Sequence, residues 1–451
     1  MLFETFHELL SCYAEKTPEA PALIYDGGGK PAELSWADLL EKAEEAGDRF
    51  KGSRTAAFLI GETEADTVVS LFGAVMAGVR VVLLDENLPE DVLIEQIRLT
   101  DTDTLYGDEE LKEALTPYLC SPKDPAPGEL LFFTSGTTER AKAVVLTERS
   151  LLRSAYNGGS LLPLMPSDRL LLMLPLNHVF GFVCGLLWAL NFGASAAIGR
   201  GARHYADDCT FFRPTALSLV PLLLGFCLKY RVFNPELRLL LIGAGDCPPE
   251  MLAAAKALGL RVSFGYGLTE TSSGIALSLG DDPYAFTICP DFRVSIAEDG
   301  EILVESPETV MKGYFRRPEE TEKVLESGVL HTGDLGTIDE NGALHVTGRK
   351  KEMIVLPDGT KIFLPEYEAA LSAALHGADL ALLLHRGILT LAVSEKAGSE
   401  EEILSAIRPV TSAYPRGQQV RKIVRLKEVL PRTATGKLKR YAIDLEKENI
   451  K

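Results

Sequence analysis

Hydroxyls, glycines and a lysine gather between two apolar runs in residues 130–145, which read LLFFTSGTTERAKAVV. Residues 130–133 predict a buried strand and residues 143–146 a second one. Between them lie Thr134, Ser135, Gly136, Thr137, Thr138 and then Lys142. Small residues let backbone N–H groups approach an oxyanion, hydroxyls donate to it, and a lysine adds a point charge. The segment lacks the glycine–lysine pair and following helix of a Walker loop, and alone it reads equally well as a polar hairpin loop. A second candidate, Gly265-Tyr266-Gly267-Leu268-Thr269-Glu270-Thr271, follows an apolar strand, where open α/β sheets seat ligands. There Tyr266 could stack on a base, Thr269 donate to a phosphate and Glu270 hold a Mg²⁺ that bridges phosphates. A helix start with Thr269 as its cap and an acid in its first turn is the plainer alternative. His331-Thr332-Gly333-Asp334 offers a carboxylate able to accept from both hydroxyls of a ribose, or an ordinary Asp-containing turn. Two basic clusters, Gly348-Arg349-Lys350-Lys351-Glu352 and residues 433–440 with Lys437, supply a hinge-borne cation and a loop-borne lysine, or two solvated surface runs.

These groups need a frame. From the N terminus the chain alternates short apolar strands (residues 55–60, 80–84, 169–174, 239–242 and 261–264) with helical stretches (36–50, 64–77, 148–154, 181–190 and 249–258). That alternation predicts β-α-β units and a largely parallel sheet. From about Phe286 the texture becomes short strands broken by Asp299-Gly300 and Asn341-Gly342, both hairpin signals. After Gly348-Arg349-Lys350-Lys351 the chain starts again as a small α+β unit. The expected fold is a large α/β N-terminal domain, residues 1–349, with mixed sheets, helices and a β-rich subdomain. A small mobile α+β C-terminal domain, residues 350–451, follows it.

Bulk properties narrow the chemistry. At 451 residues, 46% hydrophobic and 24% charged, the chain is an ordinary globular protein of two to four domains. A net charge of −18 argues against nucleic acid or an anionic membrane as partner. Seven scattered cysteines without a C-x-x-C pair fit reduced thiols in the cytoplasm rather than a zinc site or disulfide frame. Glu4, His7, Glu15 and Lys16 are unlike a secretory leader. The charge-free run between Arg169 and Arg200 is long enough to span a bilayer. It is broken by Pro175, Asn177, His178, Gly181, Gly185 and Gly193, so a buried helix and strand lining a pocket are expected, with no membrane span.

Taken in order, the motifs resemble those of the adenylate-forming superfamily: acyl- and aryl-CoA ligases, luciferases and the adenylation domains of peptide synthetases. The matching stretches are residues 134–144, 174–181 (LPLNHVFG), 265–270, 332–334, 348–351 and 431–440, and the resemblance covers essentially the whole chain. It implies a ligase that joins a carboxylic acid to ATP, giving an acyl-adenylate and pyrophosphate. The acyl group then passes to the thiol of coenzyme A or of a carrier protein's phosphopantetheine. By this resemblance Thr134, Ser135, Gly136, Thr137, Thr138 and Lys142 cradle the terminal phosphates, Tyr266 lies on the adenine, and Gly265 and Gly267 beside it belong to the nucleotide site. Thr269 binds the α-phosphate, Glu270 ligates Mg²⁺, Asp334 holds the ribose and Arg349 contacts ribose or phosphate. Lys437 bridges the two reacting anions, and the small domain swings about Lys351.

The phosphate loop departs from the family's usual T-S-G-T-T-G-x-P-K-G at Glu139, Ala141 and Ala143. Glu139 brings an anion toward a triphosphate, which keeps a non-catalytic nucleotide-binding relative among the alternatives. A glycine-rich segment usual before the β-rich region is absent around residues 285–292. The acid pocket is expected from His178-Val179-Phe180-Gly181, Gly243-Ala244-Gly245 and Gly265-Tyr266-Gly267, with His178 as its gate or wall, or as a core histidine. Amino-acid-activating relatives carry an aspartate near Phe180. None lies between Arg169 and Arg200, and Val183, Cys184, Gly185 and Leu186 are small or apolar, so a fatty or aryl acid is expected. Pro357-Asp358-Gly359 resembles the fatty-acyl ligases. An acyl carrier protein stands as an alternative partner to coenzyme A, and the oligomeric state is open.

Overall fold

The computed structural model describes residues 1–121, 127–134, 141–355, 361–427, 429–431, 438, 440–443 and 445. Two sheets organise the first 349 residues. The strand Thr55–Ile60 (TAAFLI) is buried on both faces, as an apolar run without alternation requires in a covered parallel sheet. It pairs in parallel with Arg80–Asp85 and Thr104–Tyr106. Arg80–Asp85 in turn pairs with Glu129–Thr134, which turns back antiparallel into Lys142–Thr147 with Thr134 opposite Lys142. A two-residue strand, Gly313–Tyr314, closes this six-stranded sheet on the far side of Lys142–Thr147.

The other sheet has 14 strands. Its parallel part runs Ser195–Ile198, Arg169–Leu172, Ala216–Leu219, Leu239–Ile242 and Arg261–Leu268. The last of these strands serves two partners. Arg261 to Phe264 pair in parallel with Leu239–Ile242, and Gly265 to Leu268 pair antiparallel with Ser273–Ser278. The sheet therefore changes character inside the Gly265-Tyr266-Gly267 motif, a switch of the kind beside which α/β sheets open a crevice. The antiparallel part continues through Phe286–Ile288, Leu344–Arg349, Val329–Ile338, Glu301–Glu305 and Arg293–Ile296. The change of texture expected near Phe286 thus begins earlier, at Ser273, and the β-rich region continues the parallel sheet edge to edge. The charge-free run folds into the strand Arg169–Leu172, a π-wound turn Gly181–Leu187, the helix Trp188–Asn191 and the strand Ser195–Ile198. Among the described residues no helix is long and apolar enough to cross a membrane.

After the turn Lys350–Glu352 come the hairpin Met353–Val355 and Lys361–Phe363, the helices Leu364–Ala374 and Glu400–Ser412, and a three-stranded sheet of Leu380–His385, Ile388–Ser394 and Lys422–Leu426. This unit packs on apolar clusters of its own. One includes Leu364, Tyr367, Leu371, Leu391 and Ile403, and the other Ala381, Val424 and Leu445. Gly348 (φ 149°) leaves room for the ring of Phe363, which would stand 1.8 Å from a Cβ there. A side chain at 348 would force the Phe363 ring to move.

The helix Glu148–Leu161 starts under a reciprocal cap, with Ser150 N–H donating to the Thr147 hydroxyl (3.0 Å) and Thr147 N–H to that of Ser150 (3.0 Å). Its first residue, Glu148, accepts from the Phe6 N–H (2.8 Å) and so ties down the helix Phe6–Lys16. Burial pushes the Glu148 carboxyl up to about 7, with Glu8 nearby adding to the rise and the Phe6 hydrogen bond opposing it. Its unfolded value is near 4.5, so the folded chain retains a proton that the unfolded one loses. Stability from this group is full below about pH 4.5 and is lost as pH rises through about 7. Glu148→Gln, which stays neutral, should gain in melting temperature on the native chain as pH is raised from about 5 to about 8. A constant difference in calorimetry would contradict the assignment.

Candidate active site

Asp334 lies opposite Arg349 in the pairing of Val329–Ile338 with Leu344–Arg349, and that register brings two motifs together. Its carboxylate, 3% exposed as a residue, accepts from Arg349 Nε at Oδ1 (2.9 Å) and from the Tyr266 hydroxyl at Oδ2 (2.9 Å). The turn before it is held by Thr332, whose hydroxyl accepts from Asp334 N–H (3.0 Å) and donates to the Ile302 carbonyl (2.7 Å). Gly333 N–H donates to Glu301 (2.9 Å). Burial, with the Asp334 charge behind it, pushes the Tyr266 phenol well above its usual value. It therefore remains a hydrogen-bond donor. Burial opposes the charge on Arg349, but Asp334 and Glu352 outweigh that and raise it.

Glu270 stands in the short turn Thr269–Thr271, directly after the switch strand. It accepts from the Tyr314 hydroxyl at Oε1 (2.8 Å), and its carbonyl accepts from Met311 N–H (2.8 Å). The other face of Tyr314 carries Lys142, whose Nζ lies 4.5 Å from the ring centroid. Lys142 also pairs with Glu320 (2.5 Å). Burial, reinforced by Glu270, drives the Tyr314 phenol far up, so it too stays a donor. The two carboxylate groups adjoin, because the charge of Glu270 reaches Arg349. The described residues thus form two groups, Asp334 with Tyr266 and Arg349, and Glu270 with Tyr314 and Lys142, with Thr269 next to Glu270 in its turn and Thr134 opposite Lys142 in the sheet.

Other expected residues sit differently. Ser135, Gly136, Thr137, Thr138 and Lys437, like Pro357-Asp358-Gly359, lie outside the described residues. Gly267 has a packing duty of its own, since a Cβ there would stand 1.8 Å from the Ser273 carbonyl where the hairpin bulges. Thr269 opens a single tight turn and caps no helix. His178 lies on the side of the six-stranded sheet, close enough to feel Asp85; burial lowers its pKa, with Asp85 partly opposing, and the ring is neutral at pH 7. Phe180 faces Gly243, and Cys184 Sγ lies 3.4 Å from Ser273 Oγ, which together line an apolar wall beside the switch. Lys351 is exposed in the turn after Arg349. Its neighbour Lys350 is anchored by Asp299 (2.6 Å) and Glu301 (2.7 Å). Glu352 is half-buried, and that burial raises its carboxyl against the pull of Arg440 and Arg349.

Tyr314 and Glu320 were not singled out by sequence. The only signal was Gly313-Tyr314 before the Pro318-Glu319-Glu320 helix start, and nothing local joins it to Lys142. Among the described residues no three or more His, Cys, Asp or Glu gather as a metal cage. Two surface clefts, one of about 200 Å³ beside Arg149 and Glu308 and one of about 480 Å³ beside Lys42 and Arg49, lie away from these residues.

A family model described as AMP-binding enzyme matches residues 92–315. A probable CoA ligase of Humulus lupulus is 30% identical over 71% of this chain and 66% of its own length. The 2-succinylbenzoate–CoA ligase of Oceanobacillus iheyensis is 30% identical over 69% of this chain and 68% of its own. Among solved structures, O-succinylbenzoate coenzyme A synthetase from Bacillus subtilis in complex with ATP and magnesium ion superposes with a TM-score of 0.82 at 24% identity, covering 97% of this chain and 99% of that one.

Removing one member of the buried Asp334 pairing leaves its partners' charge uncompensated. Asp334→Asn should cost about 1–3 kcal/mol in denaturant unfolding. Unchanged stability would mean that the Arg349 and Tyr266 contacts carry no weight.

Proposed function

The chain belongs to the AMP-binding enzyme family, and on that premise we propose that it is a CoA ligase that works through an acyl-adenylate. The observation carrying this reading is the convergence of Asp334, Tyr266 and Arg349 with Glu270, Tyr314 and Lys142 at the point where the sheet changes from parallel to antiparallel. In the first half-reaction a substrate carboxylate oxygen attacks the α-phosphorus of ATP. The bond to the bridging oxygen breaks, and pyrophosphate leaves. In the second, the thiol of coenzyme A attacks the acyl carbon and AMP departs. No protein base is needed to ionise the acid, which is a carboxylate at neutral pH. What must be overcome is repulsion between anions, so positioning and charge do most of the work.

Each group then has a task. Asp334 accepts from the ribose hydroxyls while Tyr266 and Arg349 keep it from turning away. Thr134, Ser135, Gly136, Thr137, Thr138 and Lys142 take the terminal phosphates. Thr269 donates to the α-phosphate. Mg²⁺ bound at Glu270 would shield the phosphate charge, and the Tyr314 hydroxyl fixes which carboxylate oxygen faces it. Gly265 and Gly267 allow the backbone to run close to the adenine. Lys437 spans the two reacting anions. We divide the chain into a large lobe, residues 1–349, and a mobile lobe, residues 350–451, that turns about Lys351 between half-reactions. Neutral His178, Phe180 and Cys184 wall the acid pocket, where an aryl acid such as 2-succinylbenzoate or a fatty acid would lie. The enzyme works in the cytoplasm.

ATP–pyrophosphate exchange across a panel of aryl and fatty acids tests this reading, and its failure with every acid would overturn it. Lys437→Ala should cut exchange by ~100-fold or more yet leave thioester formation from supplied acyl-adenylate within ~3-fold. Equal loss of both steps would contradict the swinging lobe.

A further inference from the structure

Lys142 does not face an open crevice. Glu320 Oε2 lies 2.5 Å from its Nζ, and Glu320 Oε1 lies 3.2 Å from Arg317 Nη1. One carboxylate thus bridges two cations, each oxygen serving one of them, as a phosphate group would. The bridge is built in rather than incidental. Phe315 N–H donates to the Ala143 carbonyl (2.8 Å) and Lys312 N–H to that of Val145 (3.0 Å), which docks this segment on the strand Lys142–Thr147. Thr321 Oγ1 accepts from Tyr314 N–H (2.9 Å) and donates to the Arg317 carbonyl (2.9 Å). These bonds clamp the helix Pro318–Glu322 beside Tyr314 and aim Glu320 at Lys142. The side chains of Lys142, Arg317 and Glu320 are 22%, 28% and 29% exposed, so the cluster is shielded yet reachable by a polyanion.

Resting on the adenylation reading, we propose that Glu320 is an intramolecular competitor for the terminal phosphates of ATP. It engages Lys142 and Arg317 and must release them when the triphosphate binds. A site whose binding-competent form is only partly populated binds its ligand more weakly by that fraction. Glu320 therefore lowers affinity for ATP and leaves AMP, which lacks the β- and γ-phosphates, untouched. After pyrophosphate departs, Glu320 takes Lys142 back, which keeps pyrophosphate from being held. Hydrogen bonding from Lys142 holds the Glu320 carboxyl below its usual range, so it remains a carboxylate at any physiological pH.

Calorimetric titration of the full chain with MgATP and, separately, with AMP tests this. Glu320→Gln should tighten MgATP ~3–10-fold and leave AMP within ~1.5-fold. The gain should vanish in the Lys142→Ala background. Unchanged or weaker MgATP binding, or equal tightening of both nucleotides, would overturn the proposal; a weaker result would make Glu320 a positioning residue for Lys142. Glu320→Ala serves the same readings should the glutamine variant fold poorly. If the native chain binds neither nucleotide, the adenylation reading fails, and that outcome is distinct from failure of the competitor.

Discussion

A single phenol separates a lysine from a glutamate at the centre of this protein. Tyr314 donates its hydroxyl to Glu270 and offers its ring to Lys142. If Lys142 and Glu270 met directly they would neutralise each other, and neither would serve a phosphate or a metal. The tyrosine satisfies one carboxylate oxygen by a neutral hydrogen bond and shelters the ammonium by its π-face, so Lys142 does not pair with Glu270 and its ion pair goes to Glu320 instead. Tyr314 is positioned by its strand pairing to Lys142–Thr147, by the bond from Met311 N–H to the Glu270 carbonyl and by its own N–H donating to Thr321. That short edge strand joins the six-stranded sheet to the turn that ends the switch strand of the larger one.

The carboxylate pair on the other side obeys a related logic. Asp334 is buried, and its two oxygens are engaged by Arg349 and Tyr266. Ribose hydroxyls would add donors to a carboxylate that is already oriented, so little reorganisation accompanies binding. Arg349 is also the last residue of its strand, and the turn Lys350–Glu352 begins at once. The turn leading into the C-terminal α+β unit thus begins one residue after the Asp334 partner. Lys350 is pinned to Asp299 and Glu301, and the next residue, Lys351, is exposed. A chain with a net charge of −18 can bind a polyanion because its cations are concentrated where these pairings place them.

Much of this was legible from sequence because it depends on local rules. Apolar runs without alternation marked the parallel strands, Asp-Gly and Asn-Gly marked the hairpins, and the order of motifs carried the resemblance. The large sheet's continuity was not legible. Ser273–Ser278 has serines and a glycine and only one β-branched residue, Ile275, a weak strand signal, so the antiparallel region seemed to begin later than it does. The roles of Tyr314 and Glu320 were hidden for another reason. Tyr314 contacts both Lys142 and Glu270, and Glu320 contacts Lys142, all far apart in sequence, and only the pairing of Gly313–Tyr314 with Lys142–Thr147 brings them together. The glycines of the Gly265-Tyr266-Gly267 motif suggested close approach to a ligand, whereas at Gly267 the neighbouring strand already forbids a side chain.

The central claim is that the two charge clusters surround one nucleotide. A crystal structure of the chain grown with MgATP addresses it directly. The account predicts the ribose hydroxyls on Asp334, the metal on Glu270, and the terminal phosphates on Lys142 with Glu320 turned aside. A nucleotide bound elsewhere, or one that contacts only one of the two clusters, would contradict it.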